Sequence, residues 1–247
     1  MRDLRLALMT GVDIPIPELQ IVAHSPIVEE IARMGEKDFF TAMQYLCLDK
    51  EMLVQDKTIL MSLTNFQVLM KVLEQSEDKD KKTAIQTLLL LLFPSYKAVM
   101  LPSSIILSAE NMPVVTIDDN NFSVFQEYTK KILCVNNVFQ GGNIVYNPAN
   151  NMAKEIADKI MAGRRKVAQL KSNGGTDSVL TRYLSILTVA KVATLKECSQ
   201  YNLFQLFDIM ERYSAFVEWD VDLRVRLAGG KPDKTVENWM REMHPIL

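Results

Sequence analysis

The run Tyr201-Asn202-Leu203-Phe204-Gln205-Leu206-Phe207-Asp208-Ile209-Met210-Glu211-Arg212 decides how this chain is read. Leu203, Leu206, Phe207, Met210, Tyr213, Val217 and Val221 recur at i, i+3, i+4 and i+7, the spacing of one broad apolar helix face. The pattern predicts a long helix from about Asn202 to Ala228, with that face covered by other protein. Phe204, Phe216 and Trp219 spread apolar surface onto neighbouring faces, which suits either a thoroughly buried core helix or one that also carries an interface. Leu227-Ala228-Gly229-Gly230 reads as a glycine stop, and Val236-Glu237-Asn238-Trp239-Met240 as a short Trp-bearing helix beyond it.

Upstream, Thr194-Leu195-Lys196-Glu197 has the form of a capping box, and Val179, Leu180, Tyr183, Leu184, Ile186, Leu187 and Val189 predict a strongly apolar helix before it. Ser172-Asn173-Gly174-Gly175-Thr176-Asp177 is a loop by composition. Asn147-Pro148 caps a further amphipathic helix, interrupted at Gly163 and rich in Lys and Arg between Lys154 and Lys171. Gly141-Gly142 marks the best boundary, because strand signals lie before it and helix signals accumulate after it. The expected organisation is a mixed α/β N-terminal domain over 1–142 and a helical C-terminal domain over 143–247.

In the first part, Leu4, Leu6 and Leu8 alternate before Gly11, and Leu19, Ile21 and Ala23 alternate after Pro17, which predicts two short strands in a hairpin. Ser25-Pro26 supplies an N-cap and first-turn proline for a helix over 26–34, with Gly35 as its stop. Helical windows cover 36–48, 64–75 and 80–92. Short β-branched runs at 98–101, 104–107 and 114–117, bounded by proline, serine and asparagine, predict strands, and Asp118-Asp119-Asn120-Asn121 offers N-caps for a helix carrying Phe122, Phe125, Tyr128, Ile132 and Leu133. The fold class is α+β, with short antiparallel strands in the N-terminal part and a predominantly helical C-terminal part.

Composition narrows the function. The chain has 247 residues, 48% hydrophobic and 23% charged, with a formal net charge of −2, so it folds around a sizeable core and has no global attraction to nucleic acid or anionic lipid. Cys47, Cys134 and Cys198 lie far apart in apolar windows, without a CxxC or Cys/His spacing, as expected of buried free thiols in a reducing cytoplasm. The longest apolar run, Leu88 to Phe93, is far short of the roughly twenty residues of a membrane span, and the N-terminus has no leader pattern. A soluble cytosolic protein is the expectation.

Catalytic signals are poor. Two histidines, His24 and His244, supply neither a Ser/His/Asp set nor a three-histidine metal site, and no HExxH, Walker A, GxGxxG or GxSxG motif occurs. The carboxylates Asp208, Glu211, Glu218, Asp220 and Asp222 read as the solvated side of the long helix, neutralised by Arg212, Arg224 and Arg226. The chain is expected to be no enzyme and to need no metal or cofactor. Arg164-Arg165-Lys166 reads first as part of a solvated or protein-facing helix, and the alternatives are a grip on phosphates or on an acidic protein. No aromatic residue is interleaved to stack bases, however, which argues against nucleic acid. Candidate partner-binding residues are therefore Phe204, Phe216, Trp219 and Trp239, with Arg164, Arg165 and Lys166 as the electrostatic alternative; homo-oligomerisation is left open.

The strings Ser185-Ile186-Leu187-Thr188-Val189, Tyr201 to Arg212, Arg226-Leu227-Ala228-Gly229-Gly230 and Val236-Glu237-Asn238-Trp239-Met240, with Tyr146-Asn147-Pro148-Ala149-Asn150-Asn151-Met152-Ala153-Lys154-Glu155-Ile156-Ala157, resemble proteins of tailed-bacteriophage morphogenesis regions. The chain looks most like the tail assembly chaperone group. The likeness covers the last hundred residues or so well, and the first 140 only in general character. It implies a protein of the host cytoplasm that keeps the tape measure protein soluble until tail tube subunits displace it. The alternative is a structural tail or baseplate component of the virion. Fourteen methionines, among them Met152, Met161, Met210, Met240 and Met243, could supply adaptable apolar surface for such a client.

Overall fold

The structure is a computed structural model of the chain, and it describes residues 4–47, 49–50, 62–75, 79–110, 112–135, 178–230 and 240. Its elements in order are α1 (Leu4–Thr10), β1 (Ile14–Ile16), β2 (Ile21–Ala23), α2 (Val28–Met34), α3 (Glu36–Cys47), α4 (Asn65–Gln75), α5 (Lys79–Leu92), β3 (Lys97–Leu101), β4 (Ser104–Ser108), β5 (Val115–Ile117), α6 (Phe122–Ile132), α7 (Val179–Val189), α8 (Leu195–Ser199) and α9 (Leu203–Leu227). The strands form two small antiparallel sheets, β1-β2 and β3-β4-β5, so the protein is α+β as its sequence predicts.

α5 shows how the core is built. Ala84, Ile85, Leu88, Leu89 and Leu92 recur at three-and-four spacing and are buried, while Leu90 is turned outward. α3 lies along it and contributes Phe39, Ala42, Met43 and Leu46. Aromatic rings close the other side: Phe66 meets Phe122 at 5.1 Å, Phe122 meets Phe125 at 5.9 Å, and Phe125 meets Phe93 at 6.0 Å. β4 turns Ile105 and Leu107 inward, with Ile105 opposite Ile117 of β5 and Val99 opposite Ile106.

Two N-terminal expectations are corrected. Leu4 to Thr10 is a helix, not a strand: Leu8 is fully buried, Leu4 and Ala7 pack beside it, and Leu6 faces solvent. The set Leu4-Ala7-Leu8 has helical period, and packing against α9 selects it over the alternation. The hairpin is instead Ile14–Ile16 with Ile21–Ala23, pairing Ile14 with Ala23 and Ile16 with Ile21. α2 begins at Val28, two residues later than Ser25-Pro26 suggests, because Ile27 bridges Asn202 and the Val28 N–H donates to the Tyr201 carbonyl over 2.9 Å. The cap is supplied by Glu30, whose carboxylate accepts from the Ile27 N–H at 2.9 Å. Gly35, at φ +98°, stops the helix as expected.

The Gly141-Gly142 boundary, the Asn147-Pro148 helix, the Ser172–Asp177 loop and the helix at Val236–Trp239 lie outside the described residues. On either side of that boundary the described parts share one apolar core, in which Leu8, Ile31 and Phe39 join Leu180, Leu187, Leu203 and Leu206. Glu36, the first residue of α3, reaches the start of α7, where its carboxylate accepts from Ser178 Oγ and from the Leu180 N–H.

Candidate interaction surface on the C-terminal helix

α9 is fixed by its caps. Asn202 Oδ1 accepts from the Gln205 N–H at 2.9 Å while Gln205 Oε1 accepts from the Asn202 N–H at 2.9 Å, a reciprocal capping box. Just upstream, the predicted box at Thr194 forms in the same way, with the Glu197 carboxylate accepting from the Thr194 N–H at 2.8 Å. The bonds from the Thr194 backbone and hydroxyl hold the Glu197 carboxyl below its ordinary range. At the far end, Gly229 adopts φ +79°, the Gly229 N–H donates to Arg226 and the Gly230 N–H to Val225, so the glycine stop is a Schellman motif.

The first half of this helix belongs to the core. Leu203, Phe204, Leu206 and Phe207 are buried, and Tyr183 stands edge-on to Phe207 at 5.8 Å. Asp208, also buried, accepts from Arg212 Nε at 2.6 Å and lies 3.9 Å from Arg5 of α1. Phe204 is fully buried, which corrects its assignment as a partner-binding residue: it anchors α9 to the globule.

Beyond Tyr213 the helix leaves the core. Phe216, Val217, Trp219, Val221, Leu223, Val225 and Leu227 are exposed to between 37% (Trp219) and 79% (Leu227). The expectation that Val217 and Val221 lie on a covered face is therefore corrected. At 1.5 Å per residue α9 is about 37 Å long, longer than the elements it packs against, and the described core ends at Ile209, Met210 and Tyr213.

The exposed residues form two stripes. Val217, Val221 and Val225 recur every fourth residue and continue the row of Leu203, Leu206 and Met210. Phe216, Trp219, Leu223 and Leu227 occupy the opposite side, with the rings of Phe216 and Trp219 6.0 Å apart. Between the stripes run Asp220 paired with Arg224 at 2.9 Å on one flank, and Asp222 paired with Arg226 at 2.8 Å on the other. The signal missed in the sequence is the strict alternation from Trp219 to Leu227. A two-residue step turns 200° about a helix axis, so alternation deals apolar residues to opposite sides in turn. Leu223, Val225 and Leu227 thus join Phe216 and Trp219 as candidates, whereas Trp239, Arg164, Arg165 and Lys166 lie outside the described residues.

His24 lies between two carboxylates, its Nδ1 3.0 Å from Asp13 and its Nε2 3.2 Å from Glu30, so both ring nitrogens are engaged. This cluster borders a cleft of about 320 Å³ lined also by Val22, Ser95, Tyr96 and Met112. Among the described residues no group of His, Cys, Asp and Glu could hold a metal ion, and no helix is long and apolar enough to cross a membrane. All three cysteines are buried; desolvation raises the Cys47 thiol and pushes Cys134 up to about 12. No family model matches the sequence, and no curated protein or solved structure is significantly similar to the chain.

Proposed function

We propose that the chain is a non-enzymatic morphogenesis protein of a tailed bacteriophage, a chaperone that binds the tape measure protein in the host cytoplasm until tail tube subunits displace it. The observation that carries this reading is the exposed stripe Phe216, Trp219, Leu223 and Leu227, on a helix whose other half is anchored in the core. An amphipathic client helix can lay its apolar face along such a stripe, and tryptophan and phenylalanine are the side chains that contribute most to contacts of this kind. The stripe is only three turns long, so each contact is weak. Repetition along an elongated client would provide retention without blocking displacement. Co-expression tests the proposal: the tape measure protein encoded with this chain stays soluble in its presence and aggregates without it. Mass spectrometry of purified virions separates the structural-subunit alternative, which requires abundant peptides from the finished particle; the chaperone is absent from it.

A further inference from the structure

β3 is an edge strand. In the order β3-β4-β5 it pairs with β4 alone, and among the described residues no strand lies beyond it. Its register runs unbroken from Lys97 opposite Ser108 to Leu101 opposite Ser104, without a bulge. Across the short turn Pro102-Ser103, Leu101 and Ser104 must be a pair that exchanges its N–H···O bonds, and along an antiparallel ladder such pairs alternate. Lys97, Val99 and Leu101 therefore bond to β4. Ala98 and Met100 direct their N–H groups and carbonyls the other way, where no described residue bonds to them. Edge strands are ordinarily blunted by a proline, a bulge, an inward charge or a covering segment. Here Lys97 opens the strand and Pro102 belongs to the turn, so neither blocks the stretch from Ala98 to Met100.

A pocket adjoins this edge. Ala98 and Met100 lie on the inner face of the sheet, opposite the buried Leu107 and Ile105. Beside Met100 a pocket of about 180 Å³ opens between the strand and the helices, with Met70, Leu73 and Glu74 of α4, Lys82 of α5 and Pro102 among its lining residues. On the outer face Val99 and Leu101 are 47% and 41% exposed. We propose that the β3 edge binds an extended segment of a partner protein as an added antiparallel strand, whose residue opposite Met100 seats a large apolar side chain in the pocket. The backbone specifies the extended form, because the groups at Ala98 and Met100 are spaced for a strand and a helix has spent its own N–H and C=O groups internally. The pocket specifies the side chain. A second copy of the chain satisfies the backbone but not the pocket: β3 laid against β3 about Val99 sets Ala98 of one copy opposite Met100 of the other, and a methyl group leaves the pocket unfilled. None of these residues belongs to α9, so the site is independent of the proposed client stripe.

The probe is a fluorescein-labelled peptide of alternating threonine and valine with a central phenylalanine and a lysine at each end, titrated into the full-length chain and read by fluorescence anisotropy. Saturable binding is expected. N-methylating the phenylalanine amide and the amide two residues on removes the donors that meet β3 and leaves every side chain in place, so affinity falls roughly tenfold or more. Methylating the intervening amides, which face away from β3, changes little. Exchanging the phenylalanine for alanine empties the pocket and costs roughly tenfold as well. Saturating peptide slows amide hydrogen exchange at Ala98 and Met100. The protein itself is unaltered in all of these measurements, so a folding defect cannot imitate a positive result. Absence of binding overturns the proposal. So does a complex indifferent to which amides are methylated or to the phenylalanine, or protection that falls elsewhere than on Ala98 and Met100. A chain that dimerises alone, and loses the dimer on Ala98→Pro, whose missing N–H faces away from β4, would assign the edge to a second copy and overturn it too.

Discussion

Asn202 Nδ2 donates to the Leu8 carbonyl oxygen over 2.7 Å, joining α1 to the start of α9. The same side chain caps α9 through its oxygen and is itself buried. One residue thus satisfies an orphan carbonyl at the end of α1 and an orphan N–H at the start of α9.

Asn202→Ala removes both. The cap contributes about 1 kcal/mol and the buried, unpartnered carbonyl about 1–3 kcal/mol, so chemical denaturation should show a loss of roughly 2–4 kcal/mol. Asn202→Asp keeps the cap acceptor but sets a carboxylate against the Leu8 carbonyl, and should be destabilised as well. An unchanged midpoint for Asn202→Ala would contradict the junction.

Asp208 is a buried carboxylate held by Arg212 from one turn on and by Arg5 from α1. Removing one partner of a buried pair strands a charge, which costs about 3–5 kcal/mol. Arg212→Ala should reach about 3 kcal/mol, the low end, because Arg5 remains nearby. Arg224→Ala, whose pair is solvated on the distal helix, should cost less than about 1 kcal/mol in a thermal melt.

Burial raises the thiols of Cys47, Cys134 and Cys198, so little thiolate exists at pH 8 in the folded chain. The aromatic disulfide reagent of Ellman's type should therefore react slowly with native protein and with all three thiols after denaturation. Rapid reaction of the native form would show that these residues are not packed in the core.

Phe207→Ala should cost about 3–5 kcal/mol, since its ring is buried against Tyr183. The equivalent truncation Val221→Ala should have little effect on the stability of the isolated chain, because its side chain is already exposed. Equal losses at the two positions would mean that the distal helix is covered like the proximal one.

Much of this architecture is legible in the residues because local signals and tertiary packing agree. The Thr194-Glu197 box, the Gly229 stop and the three β-branched runs each carry their own turn or cap chemistry, and each forms where its residues indicate. The first helix was not legible, because Leu4, Ala7 and Leu8 satisfy a helical period while Leu4, Leu6 and Leu8 satisfy a strand period. Only α9, almost two hundred residues away in sequence, decides between them. Periodicity likewise tells that Val217 and Val221 share a face with Phe207, but not where the neighbouring elements end. Phe204 and Phe216 are both phenylalanines on one helix, and their opposite fates follow from how far the core extends along it.

The most direct measurement is capture of the tape measure protein encoded with this chain, by the tagged full-length protein and by two triple variants. Phe216→Ala, Trp219→Ala and Leu223→Ala together should lower the captured amount roughly tenfold or more, while Arg164→Gln, Arg165→Gln and Lys166→Gln together should change it little. The wild-type complex should persist at several hundred millimolar salt, where the screening length is only about 4–6 Å and apolar burial is intact. Capture that survives loss of the aromatic stripe but collapses with salt or with the triple glutamine change would contradict the apolar surface and assign binding to the basic segment.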